Sequence, residues 1–329
     1  MPLNLNASDP AAIEAAALRL AAGSLVGMPT ETVYGLAADA GNASAVQRIF
    51  EAKGRPRFNP LICHMANLEM AEQHADFDPL SRSLAEHFWP GPLTLVLPLK
   101  PESDIHPLAT AGLDSVGIRV PVGFSGDLIR HFGRPLAAPS AKSSGRISPT
   151  TAAHVDDDLG GKIDLVIDGG ACEVGVESTI LKVEDGKIRL LRPGGVSVEA
   201  IEAFAGVTVE RPKVAGTAII EAPGMLASHY APNAIVRLNA TSVAKDEALV
   251  AFGAAPISGQ ADAVIVLNLS PAGDLAEAAA NLFDYLKRAD ASGAQGIAVV
   301  TIPDHGLGEA INDRLVRAAA PRDAEGNSA

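Results

Sequence analysis

The sequence predicts an α/β protein in two units, a larger one built on a twisted mixed sheet and a smaller, mostly parallel one. The chain has 329 residues, which is more than one hydrophobic core usually serves. Short apolar runs alternate with helical patterns in both parts, as is typical of α/β folds. An Asp185-Gly186 turn between the runs at 179–183 and 187–191 predicts a hairpin. Because a hairpin pairs its strands antiparallel, the first sheet is expected to be mixed.

The first unit, residues 1–206, is expected to contain a series of short helices and strands. A helix over 8–22 is indicated by Ser8 or Asp9 as its cap, Pro10 in its first turn and Gly23 at its end. Further helices are expected over 43–53, 79–88 and 197–204, and one beginning near Thr151. Besides the hairpin, strands are expected over 24–28, 61–64, 93–97, 115–120, 136–139 and 165–168.

The composition changes over residues 207–232, which contain three prolines and end in PGMLASHYAP. We interpret this segment as an interdomain linker. Residues 233–329 are expected to form the second, Rossmann-like α/β unit, with strands over 234–238, 248–252, 263–267 and 297–302 and helices over 273–290 and 307–320. This unit carries no visible catalytic constellation, so a regulatory or lid-supporting role is expected for it.

Composition and charge limit the classes of function. A net charge of −13 argues against nonspecific nucleic-acid binding by the whole surface, because that needs clustered Lys and Arg. The two cysteines, Cys63 and Cys172, form no CxxC pair, so neither a disulfide framework nor a zinc site is expected, and no residue is assigned as a metal ligand. We see neither a signal-peptide pattern nor a stretch able to span a bilayer. The cytoplasm is the expected compartment.

Three cations lie within five residues in the stretch KGRPRFNPLICH, residues 53–64. Gly54 and Pro56 prevent Lys53, Arg55 and Arg57 from lining one helical face, so they project from an irregular backbone. Such an arrangement suits a multiply charged anion such as a triphosphate. A solvated basic loop is the alternative.

Three other segments place polar groups beside apolar strands. MPTETVYGLAADA, residues 28–40, follows a strand, and it is either a ligand-binding turn or an ordinary β-turn. Arg119 lies between apolar residues, and it is either solvated or paired with a ligand carboxylate. PSAKSSGRISPT, residues 139–150, has five hydroxyls and two cations, so it could cradle phosphates. Ser- and Gly-rich loops are also common linkers.

Eight segments, in this order and spacing, resemble the threonylcarbamoyl-AMP synthases: PTETVYGL, KGRPRFNPLICH, WPGPLTLV, SVGIRVP, APSAKSSGRISPT, GVESTI, LLRPGG and PGMLASHYAP. More specifically, the chain resembles the long form, in which a C-terminal domain follows a YrdC-like catalytic domain. The resemblance covers nearly the whole chain. It implies that L-threonine, bicarbonate or CO2 and ATP give threonylcarbamoyl-AMP and pyrophosphate. The product serves N6-threonylcarbamoyladenosine modification at position 37 of tRNA, through separate partner proteins.

The resemblance also implies site residues. The threonine site is expected at the side chains of Thr32, His64, Arg119 and Ser178 and at the backbone of Ala138. ATP contacts are expected at Arg55, Asn59, Ser115, Ser140, Lys142, Ser148, Arg192 and Tyr230. Lys53 and Arg55, which match the first half of the family's KxR…SxN signature, are expected to be catalytic. Mg²⁺ is expected to bind through the triphosphate.

One position departs from the family pattern. The signature's Asn is replaced here by Lys142, which can donate hydrogen bonds but cannot accept one. We therefore expect Lys142 to contact a phosphate directly and to replace part of the metal's charge. Because a carbamate is hydrolysed easily, the site should also be closed to water. The linker with His229 and Tyr230 is expected to fold over the nucleotide as a lid.

Two other classes remain as alternatives. The first is a diverged YrdC-like enzyme of carbamoyl transfer, although its large relatives carry zinc-finger cysteines that this chain lacks. The second is an RNA-binding module with a basic concave face, which the net charge and the few aromatic residues disfavour. Neither class requires threonine-dependent release of pyrophosphate from ATP.

Overall fold

The computed structural model describes residues 2–211, 221–223 and 229–321, and every element named here lies in those ranges. The strands are β1 Leu3–Asn6, β2 Val26–Met28, β3 Gly35–Asp39, β4 Ile62–His64, β5 Leu93–Pro98, β6 Ser115–Arg119, β7 Leu136–Ala137, β8 Leu165–Asp168, β9 Thr179–Glu184, β10 Lys187–Arg192, β11 Val209–Glu210, β12 Ile235–Arg237, β13 Glu247–Ala251, β14 Val266–Asn268 and β15 Gly296–Val299. The helices are α1 Ala12–Ala21, α2 Ala43–Lys53, α3 Leu68–His74, α4 Pro79–Phe88, α5 Pro107–Thr110, α6 Phe124–Phe132, α7 Ala152–Leu159, α8 Val198–Ala205, α9 Leu275–Ala291 and α10 Leu307–Ala319.

Within the described residues, the larger sheet has eleven strands in the order β1-β8-β2-β3-β7-β4-β6-β5-β9-β10-β11. The sheet is mixed, as predicted. Strand β4 runs parallel to β6 but antiparallel to β7, and the predicted hairpin pairs β9 with β10 antiparallel. The strands β9 and β10 meet at Asp185 and Gly186, both of which have positive φ. The turn therefore has the backbone that its Asp-Gly sequence predicts.

Helices cover both faces of this sheet because its central strands carry apolar residues on both faces. Ala37 packs into one hydrophobic cluster with α1 and α6, and its neighbour Ala38 packs into another with α2 and α4. Strand β3 is therefore buried on both sides, as are strands between two helical layers. No described helix has the length and apolarity that crossing a bilayer requires.

The smaller sheet has four described strands in the order β12-β15-β13-β14, all of them parallel. Its predicted strands and both of its predicted helices are present, with ends that move by a few residues. Helices α9 and α10 bury their apolar faces in one cluster with strands β13 and β15. A second, smaller α/β unit is thus confirmed.

The two units pack directly against each other. The hydrophobic cluster of the second unit also contains Val33, Ile147 and Val176 from the first. Gly175 has a φ of +74°, and a Cβ there would lie 2.3 Å from the carbonyl oxygen of Ala279 in α9. Only glycine permits this close approach of the helix backbone. The contact brings the second unit against the loop that precedes β9.

Some details of the sequence interpretation were wrong. Helix α1 begins at Ala12 and neither Ser8 nor Asp9 caps it, because the Asp9 carboxylate accepts from the Ala11 amide in a turn before the helix. Six elements were not predicted from the sequence: β1, β3, α3, α5, α6 and β11, the last of which lies in the segment interpreted as a linker. Strand β3 was missed because small residues and glycine make it a weak strand pattern.

Candidate active site

One cavity lies where several strands of the larger sheet end, and most of the predicted site residues line it. Those residues are Thr32, Lys53, Arg55, His64, Arg119, Ala138, Ser140, Lys142, Ser178, Arg192 and Tyr230. They come from the β2–β3 loop, the end of α2, strands β4, β6 and β10, the segments before β9 and after β7, and the linker. Residues distant in sequence therefore converge at one edge of the sheet.

Arg119 occupies one end of the cavity and is almost completely buried at the end of β6. Its Nη1 donates to the Thr32 hydroxyl at 2.8 Å, and its Nε donates to the Gly91 carbonyl at 3.2 Å. The third partner is a carboxylate of the protein, because Glu31 Oε1 lies 2.6 Å from Arg119 Nη2. Solvent or a ligand carboxylate was predicted as the partner of Arg119, and its ion pair with Glu31 was not predicted.

His64 lies beside Arg119 at the end of β4, on the opposite side of that strand from Cys63, which packs in the core. Burial, and secondly the charge of Arg119, lowers the pKa of His64 to about 3. The imidazole is therefore neutral near neutral pH. Its Nδ1 is buried without a hydrogen-bond partner among the described residues. An unpaired polar atom on the cavity wall is suited to a hydrogen bond with a ligand.

The two cations of the KxR pair enter the cavity from the end of α2. Gly54 ends that helix in the left-handed conformation, with a φ of 58°, and the chain then turns sharply. Lys53 Nζ donates to the carbonyl oxygens of Ser140 and Lys142, both at 2.5 Å. Arg55 donates to the Asn59 amide oxygen at 2.7 Å. The loop and the phosphate-cradle segment are therefore joined.

Burial acts on the pKa of both side chains. It lowers the pKa of Lys53 well below the ordinary value, with further lowering by Arg55 and Lys142. Burial, and secondly Arg192, lowers the pKa of Arg55 to about 10, so Arg55 stays charged near neutral pH. A site with several buried cations close together favours a multiply charged anion.

Lys142 lies under the linker residues. Its Nζ donates to the Arg146 carbonyl, lies 3.5 Å from His229 Nδ1 and stands 4.4 Å from the centre of the Tyr230 ring. Burial lowers the pKa of Lys142 to about 7. Tyr230 has a φ of 62°, a backbone conformation that non-glycine residues rarely adopt and that occurs often at functional sites.

Ser178 and Arg192 both line the cavity and are hydrogen-bonded to each other. The Arg192 guanidinium donates to the Ser178 carbonyl at 2.9 Å from Nη2 and to its hydroxyl at 3.2 Å. The hydroxyl of Ser178 also lies 2.8 Å from that of Thr94. Arg192 at the end of β10 is therefore held against the segment that precedes β9.

Three predicted ATP residues do not line the cavity. Asn59 lies behind Arg55 and orients it, Ser148 is buried and donates to the Glu177 carboxylate, and Ser115 begins β6. Arg57 is exposed, unlike Lys53 and Arg55. Of the predicted lid, residues 212–220 and 224–228, including Met225, lie outside the described residues.

Neither Glu177 nor Arg314 was predicted from the sequence as a site residue. Glu177 lines the cavity next to Ser178, and Arg314 on α10 reaches it from the second unit. Glu177 is part of the GVESTI segment, so its position beside Ser178 was the available signal. Arg314 carries no motif, because one arginine on an amphipathic helix does not differ from a solvated one in sequence.

Comparison with known proteins agrees with this architecture. The family model described as "Telomere recombination" matches residues 19–194, and the one described as "Threonylcarbamoyl-AMP synthase, C-terminal domain" matches residues 196–320. Both units of the fold are therefore covered by known families.

Relatives of similar length carry one name. The threonylcarbamoyl-AMP synthase of Bacillus subtilis is 40% identical over 97% of this chain and 95% of its own, and that of Pyrococcus abyssi is 43% identical over 94% and 96%. A crystal structure of P. abyssi Sua5 complexed with L-threonine matches with a TM-score of 0.85 at 38% identity, covering 97% of each chain. The chain belongs to the threonylcarbamoyl-AMP synthase family, in its two-domain form.

Proposed function

We propose that this chain is an L-threonylcarbamoyladenylate synthase, which converts L-threonine, bicarbonate or CO2 and ATP into threonylcarbamoyl-AMP and pyrophosphate. The observation that carries this proposal is the single cavity. It joins an end suited to an amino acid, at Arg119, to an end suited to a triphosphate, at Lys53, Arg55 and Lys142. The relative crystallised with L-threonine supports the amino acid end.

L-Threonine is proposed to bind with its carboxylate at Arg119, whose planar guanidinium can pair with a carboxylate through two hydrogen bonds. Its hydroxyl is proposed to reach His64, Thr32 or Ser178, and the backbone of Ala138 to complete the site. Because a site built to bond a hydroxyl rejects ligands that lack one, valine is excluded strongly. Serine lacks only a methyl group worth about 1–3 kcal/mol and is excluded less well.

The triphosphate is proposed to lie along Lys53, Arg55, Lys142 and Arg192, with Ser140, Asn59, Ser115, Ser148 and Tyr230 completing the nucleotide site. Threonine and CO2 first give a carbamate. A carbamate oxygen then attacks the α-phosphorus, and pyrophosphate leaves. This step needs positioning and charge neutralisation rather than a side-chain nucleophile. Lys53 and Arg55 are proposed to supply the charge nearest the transferred group.

Mg²⁺ is proposed to enter with ATP, held by phosphate oxygens. Among the described residues, no group of three His, Cys, Asp or Glu side chains could hold a metal. Glu177 is the carboxylate that lines the cavity, and it is paired with Arg314. The metal would neutralise charge on the leaving pyrophosphate.

The linker is proposed to close over the nucleotide, with Tyr230 stacked between Lys142 and Phe283 of the second unit. A closed site would protect the carbamate from water. The product is proposed to pass in the cytoplasm to the tRNA threonylcarbamoyl transfer machinery, without stable binding of nucleic acid by this chain.

The test is pyrophosphate release from ATP with L-threonine and bicarbonate both present. We expect release to depend on both co-substrates, and valine in place of threonine to give little. Release without threonine, or none with all substrates present, would contradict the proposal. A control with poly(I)·poly(C) RNA separates the RNA-binding alternative, since stable RNA binding without pyrophosphate release would favour that class.

A further inference from the structure

The second unit sends one arginine into the wall of the ATP site. Arg314 on α10 is completely buried. Its Nε donates to Glu177 Oε2 at 2.9 Å, and its Nη1 donates to the Pro193 carbonyl and to Asp313 Oδ2, both at 2.8 Å. Its guanidinium carbon lies 5.3 Å from the centre of the Tyr230 ring. Arg314 therefore contacts the linker and two segments of the catalytic domain.

Glu177 is an anion among cations. It lines the cavity together with Arg192 and Lys142, which are the groups proposed to hold the triphosphate. Burial by itself raises its pKa, but Arg314, Arg192, Lys142 and the hydrogen bond from Ser148 together lower that pKa to about 2. Glu177 is therefore charged at any working pH, and it attracts the same cations that ATP requires.

We propose that Arg314 is a positioning residue for the ATP site, which holds the Glu177 carboxylate toward the second unit and so keeps it from pairing with Arg192 and Lys142. This inference rests on the proposed function of the cavity. Without Arg314, the buried carboxylate has no partner on that side and turns to the remaining cations. Those cations are then neutralised before ATP arrives, and the affinity for ATP falls.

The experiment measures binding of ATP and of L-threonine by calorimetry on the full chain. Arg314→Met removes the guanidinium while keeping an apolar side chain of similar length, and Arg288→Met makes the same change at an exposed arginine of α9 as the control. We expect R314M to weaken ATP binding by roughly 10- to 100-fold, because a buried pair is broken, and R288M to leave it unchanged.

The double variant Arg314→Met/Glu177→Gln gives the discriminating result. The uncharged amide at position 177 no longer competes for cations, so the ATP affinity of the double variant should return to within about threefold of wild type. A merely structural role for Arg314 predicts that both ligands weaken together and that E177Q restores nothing. That outcome would overturn the inference, as would ATP affinity in R314M equal to that of wild type.

Two further results keep the test decisive. If R314M does not fold, the double variant decides alone: near-normal ATP affinity supports the inference, and a loss of tenfold or more overturns it. If wild type itself binds no ATP, both the proposed function and this inference fail. If wild type binds ATP and makes the adenylate, but R314M and the double variant have the same affinity for ATP, only the inference fails.

Discussion

The affinity of this protein for ATP should depend on pH through Lys142. Burial lowers the pKa of this lysine to about 7, whereas the charges of Glu177 and Asp158 offset only part of that effect. Near neutral pH, Lys142 is thus close to half charged in the free protein. A triphosphate beside it favours the charged form, so its pKa should return toward the ordinary value of about 10.5 in the complex.

The magnitude follows from these two pKa values. At pH 8 only about one Lys142 in ten is charged before ATP binds, so binding takes up about 0.9 proton, and at pH 6 it takes up about 0.1. Because the protonated form binds the anion, the contribution of Lys142 to ATP affinity is complete well below pH 7. Above pH 7, the dissociation constant should rise by about tenfold per pH unit until the pKa of the complex is reached.

The assay is calorimetry in two buffers with different ionisation enthalpies, from which the proton uptake is obtained directly. Lys142→Met is the control, and it should remove the uptake assigned to Lys142 at pH 8. Subtracting the variant cancels the titration of ATP and most of that of Lys53, whose pKa is also lowered. Equal proton uptake by wild type and K142M at pH 8 would refute the reasoning.

Three other predictions concern the site. Arg119→Lys should raise the KM for L-threonine by roughly 10- to 100-fold and change the KM for ATP little, because lysine cannot make the planar, two-point pairing with a carboxylate. The measurement is pyrophosphate release with each substrate varied in turn. A larger effect on the KM for ATP than on that for L-threonine would contradict the prediction. Lys142→Asn, which restores the family residue, should increase the requirement for magnesium, and an unchanged magnesium titration means that Lys142 replaces no metal charge. Tyr230→Ala should cut synthesis sharply while the circular dichroism spectrum stays that of wild type. The control is Tyr285→Ala, which changes a tyrosine of α9 and should leave synthesis unchanged.

The regular elements were predictable where one physical signal dominates. The Asp185-Gly186 hairpin and the strands of the second unit follow from turn chemistry and from continuous apolar runs. Strand β3 was not predictable in this way, because its small residues are selected by packing between two helical layers. The close contact at Gly175 was also invisible, since it depends on where α9 lies.

The cavity could be predicted in outline because its polar residues follow strand ends. Arg119 and His64 end the neighbouring strands β6 and β4, and they are paired in register. A residue that positions another side chain, and does not itself follow a strand end, could not be predicted from this pattern. Arg314 reaches the site only because the second unit docks with α10 against the catalytic domain, and docking is set by the whole interface.

The pairing of Glu31 with Arg119 explains how the proposed amino acid site could exist before its ligand arrives. A buried guanidinium without a partner costs several kcal/mol, so an empty site with a lone Arg119 would be unstable or would fill with water. Glu31 Oε1, at 2.6 Å from Nη2, supplies the missing charge, and its Oε2 accepts from the Val122 amide at 3.2 Å. The hydrogen bond from Nη1 to Thr32 then fixes the plane of the guanidinium. A second carboxylate must therefore share Arg119 with Glu31 or displace it, and in either case the ligand meets an arginine already held in position.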